Sequence, residues 1–517
     1  MSFRRIVLAI LTLVVVALFV GPALVGSLEQ QQIAGRLELY QTDLLLQARE
    51  VTSEGNTLTP VRQLVGKAPL DAAIEQYQSI RKDTADQIDV DQTEPLPNPP
   101  EGPSVDSLPA QPPLEDPLAQ QTFLNRLDLR LGVLQAEAGD LETARDRWQS
   151  VNPIVIDQGQ AAQVLLGIWS SPPQILPDAE ALLQRSLQGW FQTQALEQLY
   201  TVQQRSDALA QLQAAAQETA QQSLIKLTLL GIGPALGGVI GVALLIFLAV
   251  QRFTQGERAL LSEGKHLRWT TPWDWEITWQ VIIVGFFFVG QIVLPVVLQV
   301  VRILVLSRLA TGPQTVGVMV ASTSGRFSAG FTLFGYLLLA AGSAGVLYLS
   351  IRRHLPLPEG WFRLKLADRW PLWGLGGYFA AVPLVIGVSL VNQQIWQGRG
   401  GSNPLLEIVL NESDPVALGL FFFTAAVAAP IFEEFLFRGF LLPSLTRYMA
   451  VWPAIALSAF IFAAAHLSVS EVLPLMVLGM VLGFVYTRSR NLLAPMLLHS
   501  LWNSATMLGL FILGSVE

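Results

Sequence analysis

Apolar runs long enough to cross a lipid bilayer recur along this chain from one end to the other. They lie at Ile6–Leu28, Leu224–Val250, Val281–Val301, Gly330–Leu349, Leu372–Val391, Val416–Phe440, Val451–Leu467, Val472–Tyr486 and Leu492–Leu513. Each is about 15–25 residues, close to the ~20 that a helix needs to span a hydrocarbon core of ~30 Å. Lipid offers backbone amides no hydrogen-bond partner, so such a run must satisfy its own, as a helix does. The chain is correspondingly poor in charge, with 14% Asp, Glu, Lys and Arg against about a quarter in soluble proteins. The expected fold is all-α: a polytopic helical membrane protein of about nine spans with an α-helical extramembrane domain. The short seventh and eighth runs also admit a re-entrant hairpin.

The runs divide the chain into four parts. Residues 1–28 form an N-terminal membrane anchor, whose apolar run is long for the core of a cleaved signal peptide. Residues 29–222 form the extramembrane helical domain, 223–368 a set of accessory transmembrane helices, and 369–517 the part that carries the chemistry. Charge follows the same division. Residues 28–222 hold 12 basic and 27 acidic side chains, and the remainder 20 and 13. Arg4 and Arg5 precede the first run, and basic residues lie at or beyond the end of every even-numbered run: Arg252 and Arg258, Arg352 and Arg353, Arg438 and Arg447, Arg488 and Arg490. Positive residues stay on the cytoplasmic side, so the N-terminus is expected in the cytoplasm and residues 29–222 outside it. Arg302 and Arg308, after the third run, are the exceptions. No basic arm or aromatic-basic stripe suggests nucleic-acid binding. Cysteine is absent, which excludes disulfides and thiolate chemistry.

Within the extramembrane segment, residues 87–117 are dense in Pro, Asp and Glu and read as a linker. Its flanks have helical spacing. Leu131-Gly132, Ala144 and Trp148 recur 35 residues on as Leu166-Gly167, Ala179 and Leu183, with Gly139-Asp140 in the intervening turn. The pattern resembles a degenerate tetratricopeptide repeat; an ordinary helical bundle gives the same offset by chance. The segment has no histidine and no convergent catalytic set, so its expected role is to bind a protein partner or present substrate.

Ionisable side chains inside a span are costly and usually functional, and they gather in the last runs. Pro430-Ile-Phe-Glu433-Glu434-Phe-Leu-Phe-Arg438 places Glu434 and Arg438 four apart, acid first, as a helical ion pair. Glu433 points about 100° away; lacking a local partner, it suits a general base. Phe462 and His466 share a second helix face, and His499 and Asn503 a third. Each has a structural alternative: a histidine bonding a neighbouring helix, an asparagine joining two spans, a purely structural ion pair. Their joint occurrence favours a site. Glu471, between the seventh and eighth runs, is expected at the aqueous edge, and His266 and His354 in solvated basic loops.

These three sets, in this order, resemble the signature of the CAAX prenyl protease and bacteriocin-processing family (CPBP, or Abi): E-E-x-x-x-R, F-x-x-x-H, H-x-x-x-N. Glu433, Glu434, Arg438, Phe462, His466, His499 and Asn503 match it without a substitution, over roughly residues 370–517. The resemblance implies peptide-bond hydrolysis within the membrane. Glu433 and His466 would activate a water, His499 and Asn503 would stabilise the oxyanion, and Glu434, Arg438 and Phe462 would support them. A zinc ion held by Glu433, His466 and His499 is one option; a metal-free glutamate mechanism is favoured slightly, because the compact H-E-x-x-H arrangement is missing. The partners expected are the lipid bilayer and a peptide or protein substrate. A transporter or proton path through the same residues, or a non-catalytic membrane scaffold, are the alternatives. Convergence has one geometric condition. Counting at 1.5 Å per residue, His499 lies ~12 Å and His466 ~20 Å from the cytoplasmic end, so helices must tilt, Pro430 must kink its helix, or the sixth span must run on past Gly439.

Overall fold

The computed structural model describes residues 3–28, 30, 32–51, 69–93, 117–262, 268–309 and 325–514. Every regular element among them is helical. Eight helices are long and apolar enough to cross a membrane: Phe3–Ser27, Ser206–Arg258, Trp275–Leu304, Gly325–His354, Trp370–Trp396, Pro415–Leu445, Val469–Ser489 and Leu493–Gly514. The remaining apolar run forms the helix Val451–Ala464, whose 14 residues extend only ~21 Å. The chain is an integral multi-pass membrane protein. It divides into two compact units, Met1–Ile33 with Ile232–Gly514, and Ala34–Gly231.

In the membrane unit, glycines set how closely the helices approach. Between apolar helices in lipid the hydrophobic drive is weak, so close van der Waals packing over small residues replaces it. A Cβ on Gly479 would stand 2.9 Å from Ala459 Cβ, and one on Gly483 3.0 Å from Ile455, so Val469–Ser489 lies tight against the short helix. Gly374 and Gly377 do the same for Trp370–Trp396 against Leu497 and Leu498. At one end, aromatic rings lock the connecting segments. Trp273 packs on Trp361 at 4.4 Å and on Phe440 at 5.5 Å, and Trp269 stacks on Tyr486. Arg5 joins Glu276 at 2.5 Å, and the Arg447 guanidinium donates to the Thr271 and Trp273 carbonyls. His354, expected to be merely solvated, packs edge-on against Trp273.

The far end of the first span is stitched to two loops. Ser27 Oγ accepts from Val469 N–H at 3.1 Å, and the Gly400 and Gly401 N–H groups donate to the Gln30 carbonyl. Glu471 corrects an expectation here. It lies in the first turn of Val469–Ser489, partly buried, and its carboxylate accepts from Asn403 N–H at 2.8 Å.

The second unit packs paired helices, among them Pro117–Glu137 with Leu141–Gln149 and Ile156–Ile168 with Ala179–Ser186, around Trp148, Leu165, Leu183 and Phe191. The turn at Gly139-Asp140 has the expected form: Gly139 takes φ +89°, and Asp140 caps the next helix by accepting from Thr143 N–H. Hydrogen bonding from the Thr143 side chain, and then from its N–H, holds the Asp140 carboxyl below its ordinary value. Inside the unit, Tyr77 Oη donates to Asp43 at 2.5 Å, and Arg130 reaches the same carboxylate at 3.1 Å. Burial, with the Asp43 charge, pushes the Tyr77 phenol well above its usual value. The residues of the Pro- and Asp-rich stretch at 94–116 lie outside the described residues, as does His266; residues 87–93 continue the helix Pro69–Thr93.

Of the two matching glycines, Gly132 meets the Trp148 indole, 2.2 Å from a Cβ placed there, whereas Gly167 meets the Gln174 backbone carbonyl at 2.5 Å. Trp148 is buried with its Nε1 donating to the Leu129 carbonyl at 3.2 Å, so it has little freedom to yield. Gly132→Leu is therefore expected to destabilise this unit by about 1–3 kcal/mol through overpacking. Gly35→Ala, which meets nothing within 4 Å, is expected to be neutral or slightly stabilising. Thermal circular dichroism and limited proteolysis of the full-length protein in detergent would check both.

Candidate active site

The helix Pro415–Leu445 carries the two glutamates, and its hydrogen bonding is irregular on either side of them. Residues Thr424–Ala428 and Glu434–Leu441 are π-helical, with Ala429 N–H reaching back five residues to the Thr424 carbonyl and Leu442 N–H to Phe437. Such widened turns cluster at functional sites. Pro430 contributes to the first of them, because proline has no N–H to give to a carbonyl in the preceding turn. The neighbouring helix satisfies those carbonyls instead. Ser500 Oγ donates to Ala426 O at 2.5 Å and Asn503 Nδ2 to Ala425 O at 2.8 Å. Asn503 thus clamps the His499 helix to the glutamate helix and retains a second amide hydrogen. The glutamate helix also runs on past Gly439 to Leu445, one of the routes by which the helices were expected to converge.

Glu434 is fully buried, and its Oε1 accepts twice: from Arg438 Nη1 at 2.7 Å and from His499 Nδ1 at 2.8 Å. The spacing of four residues predicts the first bond; the second crosses between helices. Because a carboxylate only accepts, Nδ1 carries the proton in this bond, which leaves Nε2 outside it, on the side of Glu433. Nε2 stands 3.9 Å from Glu433 Oε2. That separation is too long for a direct bond and suits a water seated to one side of the line, about 2.8 Å from each. Glu434 Oε2 is buried without a partner.

Arg438 is held on three sides. Besides Glu434, its Nη2 donates to the Gly479 carbonyl at 3.1 Å, and its guanidinium lies over the Phe462 ring at 4.5 Å. A Cβ on Gly479 would come within 3.2 Å of Nη2, so glycine is needed there. Phe462 also contacts both histidines, His466 at 5.0 Å and His499 at 5.7 Å between ring centroids. His466 follows the end of the short helix, and its Nδ1 donates to the Phe462 carbonyl at 2.9 Å, which turns Nε2 outward from that helix.

Glu433 is only partly buried. It is not without a partner: Tyr336 Oη, from the helix Gly325–His354, donates to its Oε1 at 3.1 Å. The sequence reading missed Tyr336, since a lone tyrosine in an apolar run carries no charge signal. It missed Gly479 and Ser500 for similar reasons. The structure gathers Glu433, Glu434, Arg438 and His499 directly, attaches His466 through Phe462, and uses Asn503 one turn from His499 against the backbone.

The donor set does not fit a zinc ion as arranged. Among the described residues no group of three His, Asp or Glu side chains is placed to hold a metal.

Residues 415–505 match the family model described as Rce1-like, type II CAAX prenyl endopeptidase. The match takes in every site residue expected from the sequence and leaves Tyr336 outside. No curated protein matches the chain, and no solved structure does.

The buried ion pair makes a stability prediction. Removing one partner of such a pair strands the other charge, at about 3–5 kcal/mol, whereas replacing both with apolar groups is often near neutral. Arg438→Met is expected to lose that amount in detergent melts. The double variant Glu434→Leu/Arg438→Met is expected to regain most of it, short of full recovery because His499 loses its acceptor.

Proposed function

We propose that this chain is an intramembrane endopeptidase that hydrolyses a peptide bond in a membrane-associated protein or peptide. One observation carries the reading: Glu433 Oε2 and His499 Nε2 face each other across 3.9 Å, with Glu434 and Arg438 fixing the imidazole from behind. A carboxylate and an oriented imidazole around a water-sized gap are the parts that general-base hydrolysis needs. The match of residues 415–505 to an endopeptidase model supports it.

In this reading the water oxygen attacks the scissile carbonyl carbon while Glu433 takes a water proton. The carbonyl oxygen becomes an oxyanion, to which a protonated His499 Nε2 and the second amide hydrogen of Asn503 donate; the Glu434 carboxylate behind His499 stabilises its charged form. Glu433 then passes its proton to the leaving nitrogen as the C–N bond breaks. His466 Nε2 helps to hold the water. The geometry shifts weight between residues relative to the motif alone: His499 becomes as central as Glu433, and Asn503 serves the helix joint as well as the oxyanion. We place the N-terminus in the cytoplasm and residues 29–222 on the opposite side, following the basic loops. Residues 29–222 are then the part that recruits a protein partner or presents substrate, residues 223–368 the accessory helices and 369–517 the protease part.

The test uses the purified full-length chain in proteoliposomes, with an internally quenched farnesylated peptide ending in a CAAX sequence as the probe. Glu433→Gln, His466→Ala and His499→Ala are each expected to lower turnover by about 10²–10³-fold, with the new peptide terminus read by mass spectrometry. Cleavage that persists undiminished in Glu433→Gln would sink the hydrolase reading. A proton flux lost in the same variants would favour transport in its place.

A further inference from the structure

We infer that Tyr336 is a positioning residue for the hydrolytic step, acting through Glu433; the inference rests on the hydrolase reading above.

Glu433 needs an anchor, and its own helix supplies none. Its neighbours at one helical turn are Ala429 and Phe437, which offer no side-chain donor, and the Arg438 guanidinium is already divided among Glu434, Gly479 and the Phe462 face. A glutamate has three rotatable side-chain bonds, so an unanchored carboxylate samples many directions. Tyr336 Oη donates to Oε1 at 3.1 Å. That bond removes one oxygen from play and leaves Oε2, the oxygen facing His499 Nε2, as the one that meets the water. The two adjacent glutamates are therefore held by separate donors: Glu434 by Arg438 and His499, Glu433 by Tyr336.

The tyrosine is itself held in place. Its ring meets Phe432, the residue before Glu433, edge-on at 6.2 Å. Its helix lies close against Trp275–Leu304: Ser343 Oγ donates to the Gly285 carbonyl at 3.0 Å, and a Cβ on Gly335, next to Tyr336, would stand 3.2 Å from Leu298. These contacts fix the position of the hydroxyl relative to the glutamate helix. Phenol suits the task chemically, since it donates one bond to a carboxylate without placing a second cation beside Arg438. The consequence is that the site extends beyond residues 415–505, into the helices read as accessory.

The test compares wild type, Tyr336→Phe, Glu433→Gln and the double variant in the same proteoliposomes with the same farnesylated probe. Tyr336→Phe keeps the ring and its packing, so the melting temperature is expected to hold. Its kcat is expected to fall about 10- to 100-fold, the scale of a misplaced catalytic group, with KM unchanged. In the Glu433→Gln background the same substitution is expected to add nothing, because its effect passes through Glu433. Tyr348→Phe, on the exposed side of the same helix, is expected to behave as wild type. Infrared difference spectra against Glu433→Gln isolate the Glu433 carboxylate band without any turnover, and Tyr336→Phe is expected to shift it. Wild-type kcat in Tyr336→Phe alongside an inactive Glu433→Gln would overturn this proposal and leave the hydrolase reading intact; so would an unmoved carboxylate band. Full activity in Glu433→Gln would remove both.

Discussion

One carboxylate oxygen, Glu434 Oε1, accepts from a guanidinium and an imidazole at once inside a membrane protein. Desolvating a carboxylate and a guanidinium costs several kcal/mol each even after the protein relaxes, and only close, well-aligned contacts return it. The surrounding structure is arranged to make those contacts close. Gly479 lets a backbone carbonyl reach Arg438, Phe462 covers the guanidinium face, and the shared oxygen turns His499 so that its other nitrogen looks at Glu433. The same bond that makes the charges tolerable therefore aims the imidazole.

A second joint keeps that aim steady. Pro430 withdraws an amide hydrogen from the glutamate helix, and Ser500 and Asn503 supply replacements from the His499 helix. A backbone defect is thus converted into a bond between the two helices that must stay in register, one turn from the imidazole. Interhelical hydrogen bonds of this kind contribute about 0.6–2 kcal/mol each. Here their placement matters more than their strength, because a shift of an ångström would open or close the 3.9 Å gap.

What the sequence made legible followed from period and from polarity. Apolar runs located the helices, and i,i+4 spacing forecast the Glu434–Arg438 pair and brought Phe462 and His466 together, though not on one helix. The run Val451–Leu467 overstated its helix, which stops at Ala464 and turns at His466, because alanine and leucine read the same in a span and in the turn that ends it. Contacts between helices were not legible. Tyr336 looks like any aromatic in an apolar run, and Gly479 and Ser500 like small residues at a packing face. Their value lies in which helix stands opposite, which no local pattern encodes. Glu471 was misread because its position in a short connection suggested water, whereas a folded loop had come to meet it.

The widened turns at Thr424–Ala428 and Glu434–Leu441 carry a consequence for how chains of this kind can vary in length. A π-turn takes up one residue more than the α-turn it replaces, so each such stretch is a stored insertion. Deleting a single residue there would let the helix close as ordinary α with the residues beyond it still in phase, whereas deleting one from the α-turn between them, Ala429–Glu433, would turn everything beyond it by about 100°. In the second case Glu433 would swing from His499, with little change in the hydropathy of the run. Along most of a span the residue count is set loosely by bilayer thickness; between these two turns it sets a phase, and the two carboxylates are read correctly only in that phase.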